Sequence, residues 1–585
     1  MTELLDPRQG DVEDDASSTK QRSLMSLAGS LLAEISMPKL LVAWIMLIGL
    51  PGLALGFLPL LASLWIGKVS AQVATLLTGL GSLAALLLLM AVAWFGGRSV
   101  MRLLESSFWS LHAMGIQPGY VVGRESLRHL AEGWLKPGGN EAARGRIRAM
   151  SALVSAAALS LFAAWIASLA WPHSRWTASL ADFAAPLRLA FPAIANAVVI
   201  VASYFSVAAI LWGIADARMA PPLDLRTFDT SGSDARRWRI AHLSDVHAVA
   251  GPYGFRIESG RSGPRGNHRL AQAFGRLAEI HAQQPLDMIL ISGDLTDAGS
   301  STEWAAFFDV LSAYPQLSHL IVGLPGNHDL NIVDRANPAR LDLPTSPLKR
   351  LRQLRMLSAL GTLQGGRMRV FDAVAGTLGP ALDRFLAPHL SSIATFADRG
   401  TFRLSRSLGD VFDMAFPMVQ PPDHEDGLGI IVLNSNAATH FSFTNALGMV
   451  SLAQTQAIDA IAALYPRARW VIALHHHVVE YPSPAKALSE RIGTALINGS
   501  SLVRRLQKLK GRAMLMHGHR HTEWIGTSGD LIIVSAPSPV MDARDTDDTH
   551  FFIHTLAAGG DGRVALLEPK KIKLPGTPAE VSPLA

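Results

Sequence analysis

Carboxylate and imidazole side chains recur along this chain in short clusters of metal-ligand character. Asp245-Val246-His247 comes first. Gly293-Asp294 and Gly326-Asn327-His328-Asp329 follow, then His475-His476-His477 and Gly518-His519-Arg520-His521. A single Asp-x-His is a common tripeptide and means little alone. The clusters together supply what a pair of divalent ions about 3.5–4 Å apart requires, a carboxylate to bridge them and neutral N or O donors on each side. The chain contains no cysteine. Disulfides and thiolate sites are therefore excluded, and any ion must be held by His, Asp, Glu or Asn. Such a donor set accepts Mn, Fe, Zn or Co, with availability deciding between them.

Each cluster needs an element to deliver it, and the sequence offers one. Apolar runs at 238–243, 286–292, 319–324, 469–474 and 513–516 each end where a cluster begins, and 429–433 leads into Asn434-Ser435-Asn436. Short apolar runs of this kind read as buried strands. Amphipathic helical patterns lie between them, at about 269–283, 302–313, 451–464 and 500–510. The alternation predicts an α/β layered domain with its polar residues emerging at strand C-termini, where such folds place their sites. Further strands are expected at 530–535, 550–555 and 563–567.

The order Asp245-x-His247, Gly293-Asp294, Gly326-Asn327-His328-Asp329, His475, Gly518-His519-Arg520-His521 resembles the calcineurin-like metallophosphoesterase family over about 236–540. The segment Ile291-Ser292-Gly293-Asp294-Leu295-Thr296-Asp297 resembles its cyclic-nucleotide-phosphodiesterase-like branch. The resemblance implies a four-layer α/β/β/α sandwich and two divalent metal ions. It implies Asp245, His247 and His521 on the first ion, Asn327, His475 and His519 on the second, and Asp294 between them. His476 or His477 could take the place of His475. A hydroxide bridging the ions would attack a phosphate mono- or diester. His328 would contact the phosphoryl group or protonate the leaving oxygen, with Asp329 orienting its ring. Two insertions depart from the pattern. The first, 248–267, carries Arg256, Arg261 and Arg265, which are candidates for substrate phosphate or simply a solvated loop. The second, 330–426, holds the basic stretch Lys349-Arg350-Leu351-Arg352-Gln353-Leu354-Arg355, read as a cap over the cleft, a membrane-surface helix or a solvated face.

The N-terminal half has a different texture. The 585 residues are 49% hydrophobic and only 17% charged, with a mean hydropathy of +0.25, too apolar for a purely soluble chain. After a polar tail, 1–38, four uncharged runs predict membrane helices at about 40–62, 73–95, 150–171 and 190–213. Trp65 and Lys68 would mark a tight loop, and Pro51 and Pro59 would bend the first helix. The Lys and Arg residues of 98–149 put that segment inside. Even-numbered spans then place the domain at 236–570 in the cytoplasm, anchored to the inner membrane as a multi-pass protein. Residues 216–235 read as a linker and 571–585 as a disordered tail. The net charge is +5, but much of the basic bias falls in 98–149, so no nucleic-acid partner is expected. The expected partners are a phosphate-ester substrate and the lipid bilayer. Two alternatives stay beside the reading of a membrane-anchored phosphohydrolase. One is a phosphoesterase for lipid-linked pyrophosphates or phospholipids. The other is a non-catalytic sensor or scaffold that binds a phosphorylated ligand.

Overall fold

The computed structural model describes residues 37–76, 117–133, 141–230 and 236–576, the last stretch with short gaps at 252–256, 259–260, 263–265, 334–339, 343–345, 400–401, 441, 483–490, 493, 495, 542, 544–545 and 560–561. The described residues divide into two compact units, one within 37–218 and one within 219–576.

The first unit is helical. Its elements are α1 (Leu50–Leu76), α2 (Gln117–Gly133), α3 (Glu141–Ala170) and α4 (Pro186–Ala217). Among the described residues three helices are long and apolar enough to cross a membrane, through Leu50–Lys68, Ala143–His173 and Leu187–Ala217. Most of the span expected at 73–95 lies outside the described residues. The loop expected at Trp65 and Lys68 is not there, because both sit inside α1. Leu50 continues directly from a single π turn, Ile45–Gly49, that precedes Pro51, the kind of local adjustment by which a helix absorbs a missing N–H. Small residues let the helices approach closely. A Cβ on Gly213 would strike Ala156, and one on Gly56 would strike the Ala193 carbonyl. Asn196 is fully buried and donates to the carbonyls of Gly56, at 3.1 Å, and Arg175, at 2.6 Å. The 98–149 segment is more than a charged loop, since α2 packs on α3 and Arg124 pairs with Asp216 at the end of α4.

The second unit holds two large sheets. The strands used below are β1 (Pro222–Asp224), β2 (Arg237–Leu243), β3 (Met288–Ile291), β4 (Ile321–Gly323), β5 (Arg369–Asp372), β6 (Thr377–Ala381), β7 (Met418–Gln420), β8 (Leu428–Val432), β9 (Arg469–Ala473), β10 (Ala513–His517), β11 (Trp524–Ser528), β12 (Leu531–Ser535), β13 (Thr549–Ala558), β14 (Val564–Leu566) and β15 (Lys570–Leu574). The nine-stranded sheet runs β1-β11-β12-β10-β9-β8-β7-β5-β6. The six-stranded sheet runs β14-β13-β2-β3-β4, with β15 added on β13. Strands β2, β3 and β4 pair in parallel, as do β8, β9, β10 and β12.

Side-chain alternation explains the layering. Val471 and Ala473 of β9 face one apolar core, while Trp470 and Ile472 face another. Met514 and Met516 of β10 divide from Ala513 and Leu515 in the same way. A strand apolar on both faces is one buried on both. The first core fills the space between the sheets and extends under helices α5 (His268–Gln283), α6 (Ser301–Ser312) and α7 (Pro347–Gln364). The second lies under α9 (Leu452–Leu464) and α10 (Gly499–Gln507), with α8 (Leu390–Arg399) beside α7. This is the expected α/β/β/α sandwich. Helix α5 shows the cause in miniature, burying Leu270, Ala273, Phe274, Leu277 and Ile280 at helical spacing.

Three boundaries differ from the sequence reading. The linker contributes an edge strand, because β1 pairs with β11. The tail begins later than 571, because Lys570–Leu574 pairs with Thr549–Ile553 of β13. The 330–426 insertion is built into the domain: its strands β5, β6 and β7 extend the larger sheet, and α7 buries Leu354, Leu357 and Leu360. Three of its basic residues are spent internally, Lys349 on the Thr439 carbonyl, Arg350 on the Gly409 carbonyl and Arg352 on Asp342 and the Leu330 carbonyl. That basic run is therefore neither a membrane-surface stripe nor a solvated face.

Candidate metal centre

Every metal-type side chain expected from the sequence leaves the C-terminal end of a parallel strand. Asp245 and His247 follow β2, Asp294 follows β3, Asn327 and His328 follow β4, His475 follows β9, and His519 and His521 follow β10. The turns after β2 and β3 stay zipped together past the strand ends. Asp245 donates its N–H to the Gly293 carbonyl and His247 to that of Asp294, both at 3.0 Å.

These turns are strained in a selective way. Asp245, His247, Asp294, His519 and His521 all have positive φ, between 41° and 76°. Non-glycine residues avoid that region at a cost of order 1–3 kcal/mol each, and such strain concentrates where side chains must be aimed. Two glycines permit the approach. Gly293, at φ 99°, lies where a Cβ would meet the His475 ring, and a Cβ on Gly326 would meet the Asp294 carboxylate.

The donor atoms of the expected ligands converge in two sets. Asp245, His247 and His521 form one, and Asp294, His475 and His519 the other, each with its candidate ligand atoms within 4.8 Å of one another. Asn327 joins the second set, its Oδ1 being 3.0 Å from His475 Nε2. Asp294 Oδ2 stands between the sets, 3.3 Å from His475 Nε2 and 3.7 Å from His247 Nε2. Of the three consecutive histidines only His475 enters the cluster. His476 Nδ1 meets Ser435 Oγ, and His477 Nε2 meets Arg520, which is itself held by Glu480.

The residues fit divalent cations. His519 Nε2 is buried and makes no hydrogen bond among the described residues, while its Nδ1 lies 3.1 Å from His475 Nε2. Asp245 Oδ1 makes none either, although His521 Nε2 is 3.1 Å away. Buried polar atoms without hydrogen bonds are costly unless something else satisfies them. Without a cation, the electrostatics are those of a tight acid–base cluster. Burial pushes the Asp294 carboxyl up, but the imidazoles of His475 and His328 outweigh it and hold it well below the usual carboxylate range. Burial pushes His475 down, but Asp294 more than compensates and raises it to about 9. Burial holds His519 well below its ordinary value, and so neutral, the form a ligand needs.

One expected role is corrected. Asp329 does not orient His328. Its carboxylate is fully buried and accepts from the N–H groups of Thr296 and Gly326, both at 2.9 Å, and from Thr296 Oγ1 at 2.8 Å. It braces the Asp294 turn against the Asn327 turn. The residue that does orient is Asp297, to which sequence reasoning assigned no role. Its Oδ1 lies 3.0 Å from His247 Nδ1, and its carbonyl oxygen is 2.7 Å from His328 Nδ1. The available signal was an acid three residues after Asp294 on the same turn. His328 is anchored a second time, its backbone N–H reaching Asp294 Oδ1 at 2.8 Å. Arg256 and Arg265 lie outside the described residues, and Arg261 falls in a two-residue strand paired with Ile257–Glu258.

A family profile described as calcineurin-like phosphoesterase matches residues 239–389. Those residues are a calcineurin-like phosphoesterase domain. The chain thus carries a metal-dependent phosphoesterase preceded by membrane-capable helices. No curated protein matches it in sequence. Among solved structures it is similar to a dimetal phosphatase from Danio rerio, at 12% identity over 58% of this chain and 99% of the other with a TM-score of 0.34. It is also similar to the purple acid phosphatase PPD1 from yellow lupin (Lupinus luteus), at 12% identity over 56% and 50% with a TM-score of 0.26. Neither likeness enters the reading below, which rests on the side chains themselves.

Proposed function

We propose that this chain is a membrane-anchored hydrolase of phosphate mono- or diesters that works with two divalent ions. Asp245, His247 and His521 hold one, Asn327, His475 and His519 hold the other, and Asp294 bridges them. The observation that carries the reading is Asp294 Oδ2, within 3.3 Å and 3.7 Å of one histidine from each set. When bound, the ions activate water and draw charge from the phosphoryl oxygens.

The chain's own residues do the rest. Asp297 fixes the ring of His247 through Nδ1, which leaves Nε2 for an ion. The Asp297 carbonyl accepts a hydrogen bond from Nδ1–H of His328, so Nε2 is the nitrogen of His328 that exchanges a proton with substrate. His328 is the most open of these side chains, 16% exposed where His247 is 1% exposed. It is placed to protonate the leaving oxygen. Asn327 contributes no charge, which keeps the site receptive to an anionic phosphate.

The test uses the detergent-solubilised full chain with added Mn2+ and aryl phosphate mono- and diesters. Hydrolysis is expected, falling about 10²–10³-fold in Asp294→Asn, a loss comparable to that of other catalytic groups. Undiminished turnover in that variant would sink the assignment. Three membrane-capable helices favour a second reading in which the ester is carried on a lipid. That reading requires turnover of a lipid phosphoester in vesicles to exceed that of its water-soluble head group. We further propose the inner membrane as the location and the cytoplasm as the side of the domain. The absence of cysteine gives a clean test. In intact spheroplasts an impermeant maleimide should label Ser174→Cys and leave Glu425→Cys unlabelled, and the reverse pattern inverts the topology.

A further inference from the structure

Away from the metal centre, α6, α7 and α8 line an open cavity of about 280 Å3. Its walls are apolar, with Phe308 from α6, Leu354 from α7, and Ile393 and Ala397 from α8 among them. The hydroxyls of α7 that line it are spent within the helix, Ser358 on the Leu354 carbonyl and Thr362 on that of Ser358.

Apart from the exposed Ser301 hydroxyl, two polar groups in the lining are not spent. Arg355, half-buried, makes no hydrogen bond or ion pair among the described residues. The charges that act on it are Glu303, which attracts it, and Arg352, which repels it, while the hydrogen bonds of both go elsewhere. Glu303 holds the N–H groups of Ala298 and Ser300, and Arg352 holds Asp342 and the Leu330 carbonyl. The second group is the indole N–H of Trp304, a residue only 6% exposed, which is buried without an acceptor among the described residues. The other cations of that turn of α7 are satisfied. Arg355 alone is left beside an apolar cavity.

We infer that this cavity binds a single-chain anionic amphiphile, its tail between α6, α7 and α8 and its head group on Arg355. An apolar wall calls for a hydrocarbon, and an unpaired guanidinium calls for a carboxylate or phosphate. The volume sits at the lower edge of ligand pockets, roughly 300–1,000 Å3, which suits one chain. The inference is independent of the reading of the metal centre, which involves none of these residues.

The test is photolabelling of the full chain in nanodiscs by three diazirine probes of one chain length, a fatty acid, a lysophosphatidate and the uncharged alcohol, with labelled peptides mapped by mass spectrometry. Labelling should concentrate in peptides covering 301–312, 347–364 and 390–399. The stronger anionic probe identifies the head group, and the alcohol should bind about tenfold more weakly, the loss expected for one charge-assisted hydrogen bond. Arg355→Gln, which removes the charge and shortens a half-buried side chain, should weaken both anionic probes by about the same factor. Ala359→Phe, which fills the cavity, should abolish labelling there. Both variants should keep the wild-type elution profile and circular dichroism spectrum, which establishes that they fold. Equal labelling by alcohol and acid, indifference to Arg355→Gln, or labelling spread over the membrane helices without enrichment in these three would overturn the inference.

Discussion

Asp297→Asn replaces one carboxylate oxygen by an amide nitrogen and leaves the backbone alone. In the native turn, Asp297 Oδ1 lies 3.0 Å from His247 Nδ1, while the Asp297 carbonyl oxygen, 2.7 Å from Nδ1 of His328, is untouched by the change. The two functions of Asp297 are therefore separable. The carboxylate fixes which nitrogen of His247 carries the proton and makes the other a stronger donor. Losing such a partner costs about 10- to 100-fold in metal affinity, or roughly 1.4–2.7 kcal/mol. His328 keeps its anchors, the carbonyl and the Asp294 carboxylate 2.8 Å from its backbone N–H. The variant should need about 10- to 100-fold more Mn2+ for half-maximal hydrolysis, yet approach the wild-type kcat at saturation. The assay is a metal titration of aryl phosphate hydrolysis with the full chain, paired with calorimetric metal binding. An unchanged metal requirement would refute the role given to the carboxylate. A hundredfold lower kcat at saturating metal would refute the separation of the two functions.

Two further outcomes follow from the same geometry. His328→Asn should lower kcat by about 10²–10⁴, the usual worth of a general acid, with metal stoichiometry unchanged by elemental analysis; loss of an ion would make His328 a ligand instead. In the metal-free chain His475 is raised to about 9 by Asp294 against the opposing effect of burial, yet a ligand imidazole must be neutral. Metal binding should therefore release about one proton from His475 at neutral pH, and affinity should rise with pH until about 9 and then flatten. The linkage has the corresponding sign. A raised histidine stabilises the metal-free fold below its unfolded value near 6.5, by about 3 kcal/mol, and that contribution is lost as pH rises through about 9. Calorimetry in buffers of different ionisation enthalpy measures the proton directly, and its absence at pH 7 would contradict the pairing.

The sequence carried the candidate ligands because each of these side chains follows an apolar strand, and the strand determines where the chain turns. What it could not carry is which atom of a turn faces which neighbour. Asp297 and Asp329 are both acids on site turns, three and two residues from ligands. One reaches His247, and the other turns inward to hold the N–H groups of Thr296 and Gly326. That choice depends on the left-handed backbone at Asp294 and on Gly326 lying against its carboxylate, which no periodicity encodes. The basic run 349–355 failed as a signal for a related reason. Four positive charges in seven residues look solvated on a helical wheel, but Lys349, Arg350 and Arg352 bond to carbonyls and a carboxylate that other segments bring to them. Charge density in sequence marks a surface only when no buried partner is waiting, and partners are a property of the fold. Arg355 passes the sharper test, a cation near such partners that takes none, and for that reason it, more than the run it ends, points to a ligand.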